Sequence, residues 1–215
     1  GLHVVAEGIE EKKFFMVKTQ LEHAIQTRNF KWWYQTIVST HDPNQEIYQL
    51  FIRVMTENGK EISSTDFFDV ATKSDLLKLF DRFTFEHSLR IIDSSKDSSI
   101  VRKVLINQLA SDFENKTERN KKIITITNLN IPDHSLIFQF RQDNLSQYRN
   151  VSKEIGKDLK AAKISVCLSN FDCSDMGWQI VDQLKPDWIR NLPLKADPKW
   201  IARTSNEYIT STISK

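Results

Sequence analysis

Glycine is scarce in this chain: five in 215 residues, none of them spaced as GxGxxG or GxxxxGK. Loops that cradle a phosphate with backbone N–H groups need those glycines, so dinucleotide-binding and P-loop chemistries are excluded. Cysteine is scarcer still. Cys167 and Cys173 are too few and too close together to frame a fold by disulfides, which points to a reducing, cytoplasmic setting. The five histidines are scattered, with no HExxH and no Cys/His cluster, so no zinc centre is expected. No apolar stretch reaches the roughly 18 residues of a membrane-spanning helix, and no leader pattern opens the chain. A net charge of only +2 gives no whole-chain argument for nucleic acid or a membrane as partner.

What is present is ordinary for a globular protein: 40% hydrophobic and 27% charged residues, enough for one substantial core or two small ones. In "EEKKFFMVKTQLEHAIQTRNF", Phe14, Val17, Leu21, Ala24 and Ile25 recur at three- and four-residue spacing, which predicts an amphipathic helix. "FKWWYQTIVS" and "EIYQLFIRVMT" are aromatic and β-branched, hence strands, with the turn "HDPNQ" between them and "ENGK" after. Residues 64–92 read as helix in two pieces, with Thr65 or Asp66 and then Ser74 as N-caps, and with Leu76, Phe80, Phe83 and His87 on one face. Further strands are expected in "SIVRKVLINQLA", "SLIFQFRQ", "KISVCLSNFD" and "PDWIRNL", and further helices in "NVSKEIGKDLKAA", "DMGWQIVDQL" and "DPKWIARTSNEYITSTISK". The stretch "SDFENKTERNKK" reads as a solvated loop or helix. Its Lys116, Arg119, Lys121 and Lys122 are interleaved with Glu114 and Glu118, so nucleic acid is not expected as partner. Strands alternating with helices argue for a parallel α/β architecture.

Seven segments, "WYQTIVS", "EIYQLFIRV", "STDFFDVA", "KLFDRF", "SLIFQF", "ISVCLSNFD" and "PDWIRNL", follow one another in the order and spacing of an EAL domain. The chain resembles that family from about residue 12 onward. The resemblance implies a modified TIM (β/α) barrel and kinship with hydrolases of the bacterial messenger cyclic di-GMP. Carried over position by position, it implies a lost active site. The metal-binding glutamate of the Glu-Ala-Leu signature falls on Gln49, followed by Leu50 and Phe51. The two glutamates ending strand four fall on Gln139 and Gln142, and the aspartate pair after strand five on Ser169 and Asn170. The Lys-Ile-Asp of strand six falls on Arg190, Asn191 and Leu192, and Asn107 stands near the family's asparagine of strand three. Magnesium is held through anionic oxygens, and metal-activated attack on a phosphodiester needs them, so neither a metal nor catalysis by the family mechanism is expected.

The nucleotide-facing positions fare better. Gln35 matches the family's strand-one glutamine, and Arg53 a phosphate-facing arginine whose fork suits that anion. Asp81 matches an aspartate that pairs with a guanine edge in related receptors, and Phe51 offers a flat stacking surface. This combination is similar to the non-catalytic receptor subgroup of FimX type, which acts in type IV pilus regulation. The resemblance then implies cyclic di-GMP as ligand and a protein partner, such as a PilZ-type adaptor or a second copy in a homodimer. The alternative for each residue is structural: Arg53 and Asp81 as an ion pair, Phe51 as core, Gln35 as a satisfied strand-end amide. A domain whose pocket has also decayed would be a nucleotide-independent interaction module. The five tryptophans (Trp32, Trp33, Trp178, Trp188, Trp200) favour that reading where exposed, although at least three are expected in the core.

Six strands are expected, whereas a TIM barrel has eight, so the barrel is expected to lack its last one or two within this chain. The opening "GLHVVAEGIE" resembles the missing seventh-strand motif. Residues 1–11 are therefore read either as the end of a preceding GGDEF-like domain, or as a displaced barrel strand, or as an unstructured lead. Residues 12–30 are then linker and first helix, and 31–215 the EAL-like domain.

Overall fold

The computed structural model describes residues 2–37 and 44–191. Its elements in chain order are α1 (Leu2–Thr27), β1 (Phe30–Ile37), β2 (Ile47–Val54), α2 (Ser64–Lys73), α3 (Leu77–Ser95) and β3 (Lys103–Asn107). There follow α4 (Ser111–Glu114), α5 (Lys116–Asn128), β4 (Leu136–Arg141), α6 (Gln142–Gln147), α7 (Arg149–Ala161), β5 (Ser165–Phe171), α8 (Asp175–Leu184) and β6 (Trp188–Asn191). The strands lie in one sheet in the order β1-β2-β3-β4-β5-β6, with β2 to β6 parallel. Each helical crossover steps one strand along, as in the wall of a β/α barrel. The α/β class expected from the alternation is thus observed.

Three expectations are corrected. The opening apolar run is not a strand: residues 2–27 form one helix. The N-cap of α2 is Ser63, whose hydroxyl accepts from the Asp66 N–H at 3.1 Å, while Ser74 ends that helix as its C-cap. Asp75 then turns the chain at φ 56°, a conformation Asp tolerates, and α3 begins at Leu77. The basic stretch 111–122, expected as a solvated loop or helix, forms two helices, but its Arg119 is not solvated and is wholly buried. The turn at 41–45 lies largely outside the described residues, and the last helix, Leu192 and Trp200 lie entirely outside them.

The chain divides into two compact units, Gly1–Tyr34 with Leu50–Glu86, and Gln35–Gln49 with His87–Lys215. The first is centred on Val17, Leu21 and Ala24 of α1, which meet Val54, Val70, Phe80 and Phe83. The predicted apolar face of α1 is therefore the buried one. Phe30 stacks on Phe83 at 5.4 Å, and Phe80 sits edge-on to Phe67 at 5.0 Å. Of the tryptophans, Trp188 is buried, and Trp32 is partly buried against the first core. Trp178 meets Phe171 edge-on at 5.0 Å, and Trp33 is 54% exposed.

In the second unit the strands stack residues in layers. Ile47, Leu105, Ile137, Cys167 and Trp188 form a buried apolar cluster with Ile37. Side chains on a strand alternate faces, so two positions later each strand again points the same way. Those positions are Gln49, Asn107, Gln139, Ser169 and Arg190: a polar layer on an apolar floor, nearer the carboxyl ends of the strands.

Candidate functional site

Carboxyl ends of parallel strands are where α/β proteins collect their ligands, because the loops there are free to vary while the strands fix their stems. The polar layer of the second unit lies on that side. Its centre is Arg190, whose Nη1 donates to Gln49 Oε1 at 2.6 Å and to Gln139 Oε1 at 2.8 Å. Both glutamines are buried, at 3% and 6% exposure. Gln139 Nε2 in turn donates to Asn107 Oδ1 at 2.6 Å, its cross-strand neighbour in register. This network fixes the amide orientation, because a flipped Gln139 would aim its NH2 at a guanidinium that can only donate. The Cys167 thiol lies 3.6 Å from Gln139 Oε1, and burial pushes its pKa up to about 12. It remains a neutral thiol and not a nucleophile.

The rim of this layer is also polar. Gln142 donates through Nε2 to Asp172 Oδ1 at 2.8 Å and accepts from the Asp172 N–H at 3.1 Å. Burial alone would raise the Asp172 pKa, but hydrogen bonds from Ser174 and Gln142 outweigh it and hold the carboxyl below its ordinary value. Ser169 donates to the Phe140 carbonyl at 3.4 Å. Asn170 sits at φ 56°, beside a register shift between β5 and β6, so the chain bulges there. Among the described residues, no group of three or more His, Cys, Asp or Glu is placed to hold a metal ion.

The first unit contains three of the four expected nucleotide contacts. Arg53 donates to Ser64 Oγ and pairs with Glu61 at 3.3 Å, with its guanidinium carbon 5.9 Å from the centre of the Phe51 ring. Phe51 is half-buried, not core. Asp81 is a half-buried residue of α3, and the carboxylate that pairs with Arg53 at 3.3 Å is Glu61. Gln35 lies half-buried on β1, within the second unit. Sequence reasoning singled out Gln49, Gln139 and Arg190 one by one but missed that the three meet at a single nitrogen. The basic cluster is dispersed: Arg119 is buried, Lys121 pairs with Glu118 at 2.7 Å, and Lys122 reaches Gln108.

A comparison with curated protein sequences returns no match. Solved structures similar to this chain include the FimX EAL domain from Pseudomonas aeruginosa bound to c-di-GMP, at 18% identity. The match covers 80% of this chain and 69% of that one, with a TM-score of 0.70. The Xanthomonas citri FimX EAL domain in complex with c-di-GMP is 18% identical, with 85% and 71% covered and a TM-score of 0.72. The Vibrio cholerae LapD S helix-GGDEF-EAL protein bound to c-di-GMP is 14% identical, with 83% and 43% covered and a TM-score of 0.66. Identities this low speak for a shared fold. The EAL domain family model matches residues 18–203, most of the chain, and the chain belongs to that family.

Proposed function

We propose that this EAL-family chain is a non-catalytic receptor for cyclic di-GMP that relays nucleotide occupancy to a protein partner. The observation that carries this reading is the polar layer, in which Arg190 is seated on the oxygens of two buried glutamines, at positions that the sequence resemblance sets against two glutamates and a lysine. Hydrolysis of a phosphodiester by metal-activated water needs anionic oxygens to hold the dication. Neutral carbonyls already bonded to a guanidinium do not offer them, so the residues present do not fit the family's metal. The solved FimX EAL domains bound to c-di-GMP support the choice of ligand.

In this reading Gln35, Phe51, Arg53 and Asp81 contact the nucleotide: Arg53 a phosphate, Phe51 a base face, Asp81 a guanine edge. Arg53 exchanges the Glu61 carboxylate for the phosphate on binding. The partner is a PilZ-type adaptor or a second copy of the chain, in a bacterial cytoplasmic pathway of the type IV pilus kind. The test is calorimetric titration with cyclic di-GMP in chelator. Binding is expected without metal, and loss of either charged contact by Arg53→Ala or Asp81→Ala is expected to weaken it about tenfold or more. Absence of heat at high nucleotide concentration overturns the receptor reading, and turnover in magnesium that stops with chelator overturns the non-catalytic one.

One observation favours a second reading, a nucleotide-independent interaction module. Trp33 and Tyr34 on β1 are 54% and 48% exposed, and exposed aromatics are typical of docking surfaces. Recovery of one partner equally well with and without nucleotide, and its loss in Trp33→Ala, is the result that would favour it.

A further inference from the structure

Arg190 poses a question of charge balance. It is half-buried, yet no carboxylate among the described residues pairs with it, and its hydrogen bonds end on neutral amide oxygens. Both protons of Nη1 are used, one on Gln49 and one on Gln139. Nε and Nη2 carry three further N–H groups with no hydrogen-bond partner among the described residues. A guanidinium presents Nε–H and one Nη–H side by side, the spacing that matches two oxygens of a phosphate group. Half of this cation is therefore clamped, and half has no partner among the described residues. The clamp is rigid, because Gln139 is itself held by Asn107 and both glutamines are buried.

We infer that Arg190 takes the place of the metal: a built-in cation, seated on the oxygens of Gln49 and Gln139, whose Nε/Nη2 edge receives the phosphodiester of the bound nucleotide. The inference rests on the receptor reading above and adds its charge logic. With glutamates at positions 49 and 139, the carboxylates would draw in a dication, and the strand-six cation, a lysine in the family motif, would stand beside that metal rather than on the glutamine carbonyls. With glutamines, the two carbonyls orient one positive charge, and a second positive charge at the same oxygens is repelled. The site thus excludes divalent cations while retaining a partner for phosphate.

The test uses the full chain, with manganese and cyclic di-GMP as probes. Wild-type protein is expected to leave the electron paramagnetic resonance signal of free Mn2+ undiminished, and to bind cyclic di-GMP equally in chelator and in magnesium. Arg190→Met is expected to weaken nucleotide binding about tenfold or more through loss of a charge-assisted, bidentate contact. Arg190→Lys, which keeps the charge without the fork, is expected to fall between the two. Should Arg190→Met fail to fold, judged by thermal unfolding, the comparison is carried by Arg190→Lys. Wild-type protein that sequesters Mn2+ overturns the inference, as does a folded Arg190 variant that binds the nucleotide as tightly as wild type. Both outcomes leave the receptor reading standing. Wild-type protein that binds no nucleotide at all removes that reading and this inference with it, and is recognisable as such.

Discussion

Arg119 bears its positive charge with none of its side chain exposed. Its Nε meets Asp158 at 2.8 Å, its Nη2 meets Glu154 at 3.1 Å, and Nη1 donates to the Phe113 carbonyl. Replacing it with Met keeps the bulk but leaves a buried carbonyl without its donor and Asp158 without its partner. Glu154 is 61% exposed and regains water, so the loss belongs at the low end for a broken buried pair, about 2–3 kcal/mol. Urea unfolding of Arg119→Met is expected to show it as a lower midpoint with an unchanged slope, and a midpoint within error of wild type would contradict this assignment. In the sequence Arg119 is indistinguishable from its solvated neighbours Lys116 and Lys121, because its partners lie 35 and 39 positions downstream. The candidate site behaves alike. The residue types at 49, 139 and 190 are legible in family register, but their meeting at one nitrogen spans 141 positions and no local pattern encodes it. Arg53 is a further case: it pairs with Glu61, eight positions on, a carboxylate that family register does not single out.

Helices and strands were most legible where a cap and a full period coincide. The segment 175–184 reads as helix from its apolar spacing, and Ser174 caps it by accepting from the Gly177 N–H at 3.1 Å. Two failures mark the limits of periodicity. The largely apolar run at 2–6, interrupted by His3, fits a strand or a helix equally, and only continuity with the amphipathic run through Thr27 decides for helix. Helix α6 is six residues, fewer than two turns, too short to show a 3.6-residue repeat. Contact between elements is less legible still, and Gly156 shows why. A Cβ there would lie 2.1 Å from the Leu184 carbonyl oxygen, so α7 and α8 approach along a line that only glycine leaves open. Gly156→Ala should gain about 1 kcal/mol from helix propensity. Against that stands a clash with backbone that no rotamer change relieves, and overpacking of this kind costs about 1–3 kcal/mol. The expected result is a net lower melting temperature. A more stable Gly156→Ala protein would mean that the two helices separate more freely than their spacing shows.

For the molecule as a whole, stability should depend on pH through His87, which lies on α3 where the chain passes from one compact unit to the other. Burial lowers its pKa below the ordinary 6.5, and the positive charge of Arg90 lowers it further. In the unfolded chain the imidazole takes up its proton near 6.5, whereas in the folded protein it does so only at lower pH. Between those two values the unfolded state binds more protons, so unfolding becomes more favourable as the solution is acidified. The contribution is present in full above 6.5 and is lost as pH falls through the folded-state value. Several carboxylates are shifted the other way relative to their charge. Lys13 and Ser63 hold Asp66 below the ordinary 3.8 by hydrogen bonds, and Arg141 does the same for Asp143. Their contributions are also present at neutral pH and are lost only in stronger acid, below the ordinary 3.8. The expected outcome is a melting temperature that falls from about pH 7 to about pH 5 in the wild-type protein and falls less in His87→Gln, the range in which histidine is the side chain that ordinarily titrates. Equal slopes for the two proteins across that range would remove His87 as the cause and transfer the acid sensitivity to groups elsewhere in the chain.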